Sequence, residues 1–135
     1  MSEIHKGSCL CGNVKFEIDG SFDNFFLCHC KYCQKDTGSA HAANLFASNV
    51  SFKWISGESE VQSYRLPGTR HTKCFCKTCG SAVAGVYNEG QMVVVPAGSL
   101  DTPVDIKPNA HLFVKSCANW DHKLENITKF EGLPS

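Results

Sequence analysis

Nine cysteines in 135 residues, at positions 9, 11, 28, 30, 33, 74, 76, 79 and 117, constrain this chain more than any other feature. All but Cys117 fall into short groups: Cys9-x-Cys11, Cys28-x-Cys30-x-x-Cys33 and Cys74-x-Cys76-x-x-Cys79. Thiols at such spacing are cross-linked, bound to metal, or catalytic. Disulfides within Cys-x-Cys are strained, and the number of cysteines is odd. The start, Met1-Ser2-Glu3-Ile4-His5-Lys6-Gly7, has no apolar stretch of a secretory leader, so the expected compartment is the reducing cytoplasm. There the same pattern reads as metal or catalysis rather than as a disulfide framework. The four-cysteine runs of ferredoxin-type iron–sulfur proteins are absent. Zinc fits better: a tetrahedral site takes about four thiolate or imidazole ligands, and a short Cys-x-x-Cys turn delivers two of them from one bend. Gly12 and Gly80 stand where the chain must reverse tightly beside a sulfur.

The remaining composition describes an ordinary folded domain, 42% hydrophobic and 19% charged. Thirteen basic residues balance thirteen acidic ones, which argues against a nucleic-acid clamp and against polybasic membrane attachment. No run approaches the roughly 18 apolar residues of a membrane span. Apolar–polar alternation predicts a strand over 14–18, and similar strand-like runs place others over 40–46, 50–54, 61–66, 69–75, 82–87 and 92–97, separated by Gly, Pro, Asn and Ser turns. Residues 98–103 read as a turn, and 108–114 as a loop entering a last strand. One short helix is expected over 31–37, closed by Gly38. The result is a mainly β, antiparallel domain over 3–122, followed by a polar tail, 123–135.

The motifs Gly7-Ser8-Cys9-Leu10-Cys11-Gly12-Asn13-Val14, Cys28-His29-Cys30-Lys31-Tyr32-Cys33-Gln34 with Gly38-Ser39-Ala40, Phe75-Cys76-Lys77-Thr78-Cys79-Gly80 and Gly98-Ser99-Leu100-Asp101 occur in this order. Together they resemble the glutathione-dependent formaldehyde-activating enzyme family, which also includes a centromere protein. The resemblance runs from about Gly7 to Trp120. It implies a compact Mss4-like fold stabilised by two zinc ions. One, structural, would be held by Cys9, Cys11, Cys76 and Cys79. The other, catalytic, would be held by Cys28, Cys30 and Cys33, with a fourth position open. The implied activity is that of a carbon–sulfur lyase, condensing glutathione with formaldehyde to S-hydroxymethylglutathione. A small-molecule thiol and an aldehyde would then be the partners. Cys74 departs from the family pattern: on one strand with Cys76, it would, if it filled the open position, close the second site into an inert four-cysteine one.

Chemically, the reaction needs a thiolate and a polarised carbonyl, and zinc can supply either. His29, between two of the expected ligands, is the nearest candidate base and equally an orienting partner. His71 and His111 are weaker candidates, and Arg70 and Lys73 are placed to meet glutathione's carboxylates. Phe22, Phe25, Phe26, Trp54 and Trp120 read as core more readily than as pocket lining. Cys117 reads as a small buried hydrophobe. The competing functions are a non-enzymatic thiol carrier and a zinc-supported protein-interaction module.

Overall fold

The computed structural model describes residues 3–134. In chain order the strands are β1 (Ile4–Ser8), β2 (Lys15–Asp19), β3 (Asn24–Cys28), β4 (Ala42–Ala47), β5 (Ser51–Ser56), β6 (Val61–Arg65), β7 (Thr72–Cys76), β8 (Gly85–Tyr87), β9 (Met92–Pro96) and β10 (Ala110–Leu112). One α-helix, α1 (Lys31–Thr37), interrupts them after β3. The strands form a three-stranded sheet β1-β2-β5, a five-stranded sheet β10-β3-β4-β9-β8 and the hairpin β6-β7.

Alternation builds the core. In β2 Phe16 and Ile18 are buried while Lys15 faces solvent; in β9 Val93 and Val95 are buried beside Leu45 of β4. Phe16 packs against both Phe52 and Trp54 of β5. These side chains, with Val14, Phe22, Phe25, Val83 and Ala84, make one apolar cluster that includes Cys9 and Cys76. Each fully buried aliphatic or aromatic side chain contributes about 1.5–3 kcal/mol by leaving water. Gly7 is fixed by this packing, because a Cβ there would collide with the Phe16 ring.

The mainly β reading holds, with one helix over 31–37 and Gly38 in the left-handed region at φ 67°. Three details differ from expectation. β1 and β3 carry no alternating signal: β1 has a single large apolar residue, and β3 runs Phe-Phe-Leu, with Phe25 buried and Phe26 and Leu27 half-buried. Both exist because neighbours pair with them, β2 along all of β1 and β4 along all of β3. The strand expected over 69–75 begins only at Thr72, since Leu66 N–H donates to the His71 carbonyl and closes a turn. The last strand is not preceded by the loop but lies inside it, and β10 pairs parallel with β3 rather than antiparallel. This parallel pair sets Leu112 against Cys28, so the distal part of the chain reaches the middle cysteine motif.

Candidate metal centres and their surroundings

The first thiol cluster arises from two tight reversals that face each other. Cys9 N–H donates to the Val14 carbonyl and Gly12 N–H to the Cys9 carbonyl; the second reversal repeats this with Cys76 N–H to Ser81 and Gly80 N–H to Cys76. Gly12 and Gly80 take φ of 84° and 77°, a conformation costing an L side chain about 1–2 kcal/mol. The sulfurs of Cys9, Cys11, Cys76 and Cys79 all lie within 4.8 Å of one another. Cys9 and Cys11 are 3.6 Å apart, and Cys11 and Cys76 3.9 Å. A tetrahedron with metal–sulfur bonds of about 2.3 Å has edges of about 3.8 Å, so this donor set fits zinc.

Ser81, which the sequence did not single out, joins the two reversals. Its hydroxyl accepts the Leu10 N–H at 2.9 Å and lies 3.3 Å from Cys79 Sγ. That hydroxyl, with backbone N–H donors, pulls the Cys79 thiol down to about 5. The Asn13 N–H favours a Cys11 thiolate, but desolvation and the neighbouring sulfurs push its thiol up to about 11. Burial opposes ionisation of Cys9, yet the Val14 N–H, 3.2 Å from its sulfur, and the adjacent thiols bring it below the ordinary range. Four sulfurs this close share protons unless a cation takes their place. The Gly98-Ser99-Leu100-Asp101 motif braces the first reversal: Asp101 N–H donates to the Lys6 carbonyl, and Asp101 Oδ2 accepts the Ser8 hydroxyl at 2.7 Å.

The second cluster is built where β3 runs into α1. Cys28 ends the strand, and Cys30 caps the helix, its sulfur accepting the Cys33 N–H at 3.3 Å. Cys33 lies in the first turn of α1, 8% exposed. Their three sulfurs lie within 4.8 Å of one another, and no fourth cysteine joins them among the described residues. Burial opposes the Cys30 thiolate, but the Cys33 N–H and the two neighbouring thiols lower it below the usual range. Burial, then Cys28 and Cys30, push the Cys33 thiol far up. The donor set suits zinc with one coordination position left for another ligand.

Cys74 does not close this cluster. It pairs with Ser63 across the β6-β7 hairpin, and its sulfur lies 3.7 Å from the Tyr87 hydroxyl and 3.9 Å from Ser63 Oγ. Burial, then the Cys74 thiol, hold the Tyr87 phenol well above its ordinary range. Cys33 and Cys74 both line a cavity of about 640 Å³ that Arg65, Arg70 and Lys73 also border. Lys73 and His71 are not free there: both hold Asp36 of α1, at 3.1 and 2.8 Å. Of the aromatic residues weighed as pocket lining, Phe22 and Phe25 are core, Trp54 packs on Phe16, and Trp120 is 57% exposed.

His29 is buried, and its Nε2 lies 2.9 Å from His111 Nδ1, a contact that the parallel β3/β10 pair creates. The His41 ring packs beside it at a tilt of 59°, and burial and then His29 hold the His41 imidazole below its usual range. Cys117 is half-buried and donates to Asp121 instead of filling the core, and desolvation, then the Asp121 carboxylate, raise its thiol. No helix among the described residues is long and apolar enough to cross a membrane.

Comparison with known proteins agrees with this geometry. Residues 4–116 match the family described as "Glutathione-dependent formaldehyde-activating enzyme". A Halomonas elongata protein named "Putative glutathione-dependent formaldehyde-activating enzyme" is 26% identical over 125 residues, covering 85% of this chain and 78% of the relative. The crystal structure of a Rhodobacter sphaeroides protein superposes with a TM-score of 0.56 at 26% identity, over 78% of this chain and 98% of that one. With all three cysteine motifs inside the matched span, the chain belongs to the glutathione-dependent formaldehyde-activating enzyme family.

Proposed function

We propose that the chain is a zinc-dependent carbon–sulfur lyase of the S-(hydroxymethyl)glutathione synthase type, joining glutathione to formaldehyde or a related aldehyde. The observation that carries the reading is the contrast in donor number: four thiols in one cluster, three in the other, with Cys33 of the three also lining the large cavity. Cys9, Cys11, Cys76 and Cys79 would hold a structural zinc, and Cys28, Cys30 and Cys33 a catalytic one. Bound in the three-thiol set, zinc supplies a position that favours the deprotonated form of a substrate sulfur over the thiol.

The protein's own groups then do the positioning. The Cys33 N–H supports the Cys30 sulfur and thereby fixes the open side of the cluster. Arg65, whose Nε donates to the Thr69 carbonyl, and Arg70 are among the residues bordering the cavity, cations that match the carboxylates of a glutathione whose sulfur points toward Cys33. Lys73 and His71 anchor Asp36 and so hold α1, and with it Cys33, against the hairpin. In the reaction one carbon–sulfur bond forms between the thiol and the aldehyde carbon, and the thiol proton ends on the new hydroxyl. The uncatalysed addition is easy, so holding the two reactants together accounts for most of the expected acceleration.

The test is the initial rate of glutathione addition to formaldehyde, with the spontaneous reaction subtracted, for zinc-loaded wild type and Cys30→Ser. Loss of one zinc, of glutathione binding and of the rate in the variant supports the reading. A rate and zinc content that Cys30→Ser leaves unchanged removes this cluster from the chemistry. Glutathione binding without any rate gives the carrier.

A further inference from the structure

We propose that His29, His41 and Asp121 form a third metal site, for a first-row divalent ion of borderline character such as zinc. One ring nitrogen of each histidine and one carboxylate oxygen of Asp121 lie within 4.8 Å of one another, a donor set that shares no residue with either thiol cluster. His29 is 4% exposed, and its Nδ1, like that of His41, is buried with no hydrogen-bond partner. Two such nitrogens in one place are a cost to the fold unless something occupies the point toward which they converge.

One tautomer of His29 suits a metal. His29 Nε2 lies 2.9 Å from His111 Nδ1. When the Nε2–H donates to that nitrogen, His29 Nδ1 is left as a bare lone pair, the orienting arrangement that metal-bound histidines use. His29 Nδ1 and Asp121 Oδ2 are 3.4 Å apart, long for a hydrogen bond. Ligands about 2.0–2.1 Å from a tetrahedral ion lie about 3.3–3.4 Å from each other, so the spacing is that of two metal ligands. Two imidazoles and one carboxylate select the zinc, cobalt and nickel class over calcium and magnesium, which take oxygen. Three protein ligands leave a position for water or a small anion, and His29 and Asp121 also border a cavity of about 300 Å³ with Cys117, His122 and Glu125.

The site would tie three separate stretches together: the β3–α1 turn, the residue before β4 and the segment beyond Ser116. Gln34 already spans part of that distance, its side-chain NH₂ donating to the His29 and Ser116 carbonyls.

The test is a calorimetric and optical titration with cobalt(II) of the full chain carrying two equivalents of zinc, enough for the two thiol sets and none for a third site. One further equivalent is expected, giving ligand-field bands without thiolate-to-cobalt charge transfer. Asp121→Asn and His41→Gln should each weaken uptake at least a hundredfold. His111→Phe should weaken it about ten- to a hundredfold through loss of the orienting hydrogen bond. His122→Ala, on the same cavity but outside the donor set, should leave uptake unchanged. No uptake, uptake indifferent to Asp121→Asn and His41→Gln, or charge-transfer bands reporting zinc displaced from thiols would each overturn the site. Failure of the thiol sites is distinguishable, because it appears as missing zinc before any cobalt is added.

Discussion

Cys28-x-Cys30-x-x-Cys33 and Cys74-x-Cys76-x-x-Cys79 are the same spacing read twice, yet the chain uses them differently. After Cys28 the strand gives way to a turn and then to α1, so three sulfurs wrap round one point. Cys74 and Cys76 both lie within β7, and the reversal begins only after Cys76. Only Cys76 and Cys79 therefore converge, and Cys9 and Cys11 complete their set from the far end of the chain. Cys74 is left facing Tyr87 and Ser63. Identical spacing thus yields a cross-chain staple in one case and an open local cluster in the other, because the backbone between the thiols differs. The staple also sits in the apolar core, where Cys76 is 0% exposed, whereas the open cluster touches a cavity through Cys33.

If that contrast is right, the largest effect belongs to Cys76→Ser. It should leave the domain without a cooperative melt, since structural zinc supplies folding free energy outright. A variant melting at the wild-type temperature would erase the distinction between the clusters. Cys30→Ser should be next: zinc content drops by one and the rate falls to background, but the melt stays cooperative and moves by only a few degrees. Native mass spectrometry beside a thermal scan separates the two outcomes. Gly80→Ala should cost about 1–2 kcal/mol, from the left-handed φ that alanine resists. Urea unfolding measures it, and a smaller loss would mean that the reversal relaxes without disturbing Cys79.

The smallest and sharpest effect should come from Ser81→Ala. With its thiol drawn down to about 5, Cys79 favours the folded state fully above the ordinary thiol range near 9. That contribution fades as pH falls from there and is gone below about 5. Without the Ser81 hydroxyl the folded value rises toward the ordinary one, so protons displace zinc at higher pH. The midpoint of acid-driven zinc release, followed with a chromogenic chelator, should shift upward in Ser81→Ala. An unchanged midpoint would show that the backbone donors alone stabilise the thiolate.

Much of this architecture was legible in residues 9–96. The thiol groups, the two glycines at the reversals, the short helix closed by Gly38, the alternating strand β2 and the apolar run of β9 are local consequences of residue type and spacing. β1 and β3 were not legible, because each owes its existence to a partner strand rather than to its own pattern. Ser81 was not, because its contact with Leu10 spans 71 positions and a serine after Cys-Gly carries no distinctive signal. The direction in which Cys74 points depended on whether β7 stays straight through Cys76, which no spacing rule decides.

The histidine and aspartate group lies furthest from the reach of sequence. His29, His41, His111 and Asp121 are scattered over 93 positions, and only the parallel pairing of β10 with β3 sets His111 beside His29. Residue chemistry and short-range spacing determined by themselves that this chain would gather sulfur, because two ligands from one bend need only a few peptide units. Which sulfurs share a centre, which one stands aside, and where nitrogen and oxygen meet depended on long-range strand pairing. That pairing follows from how the whole set of apolar faces is buried together.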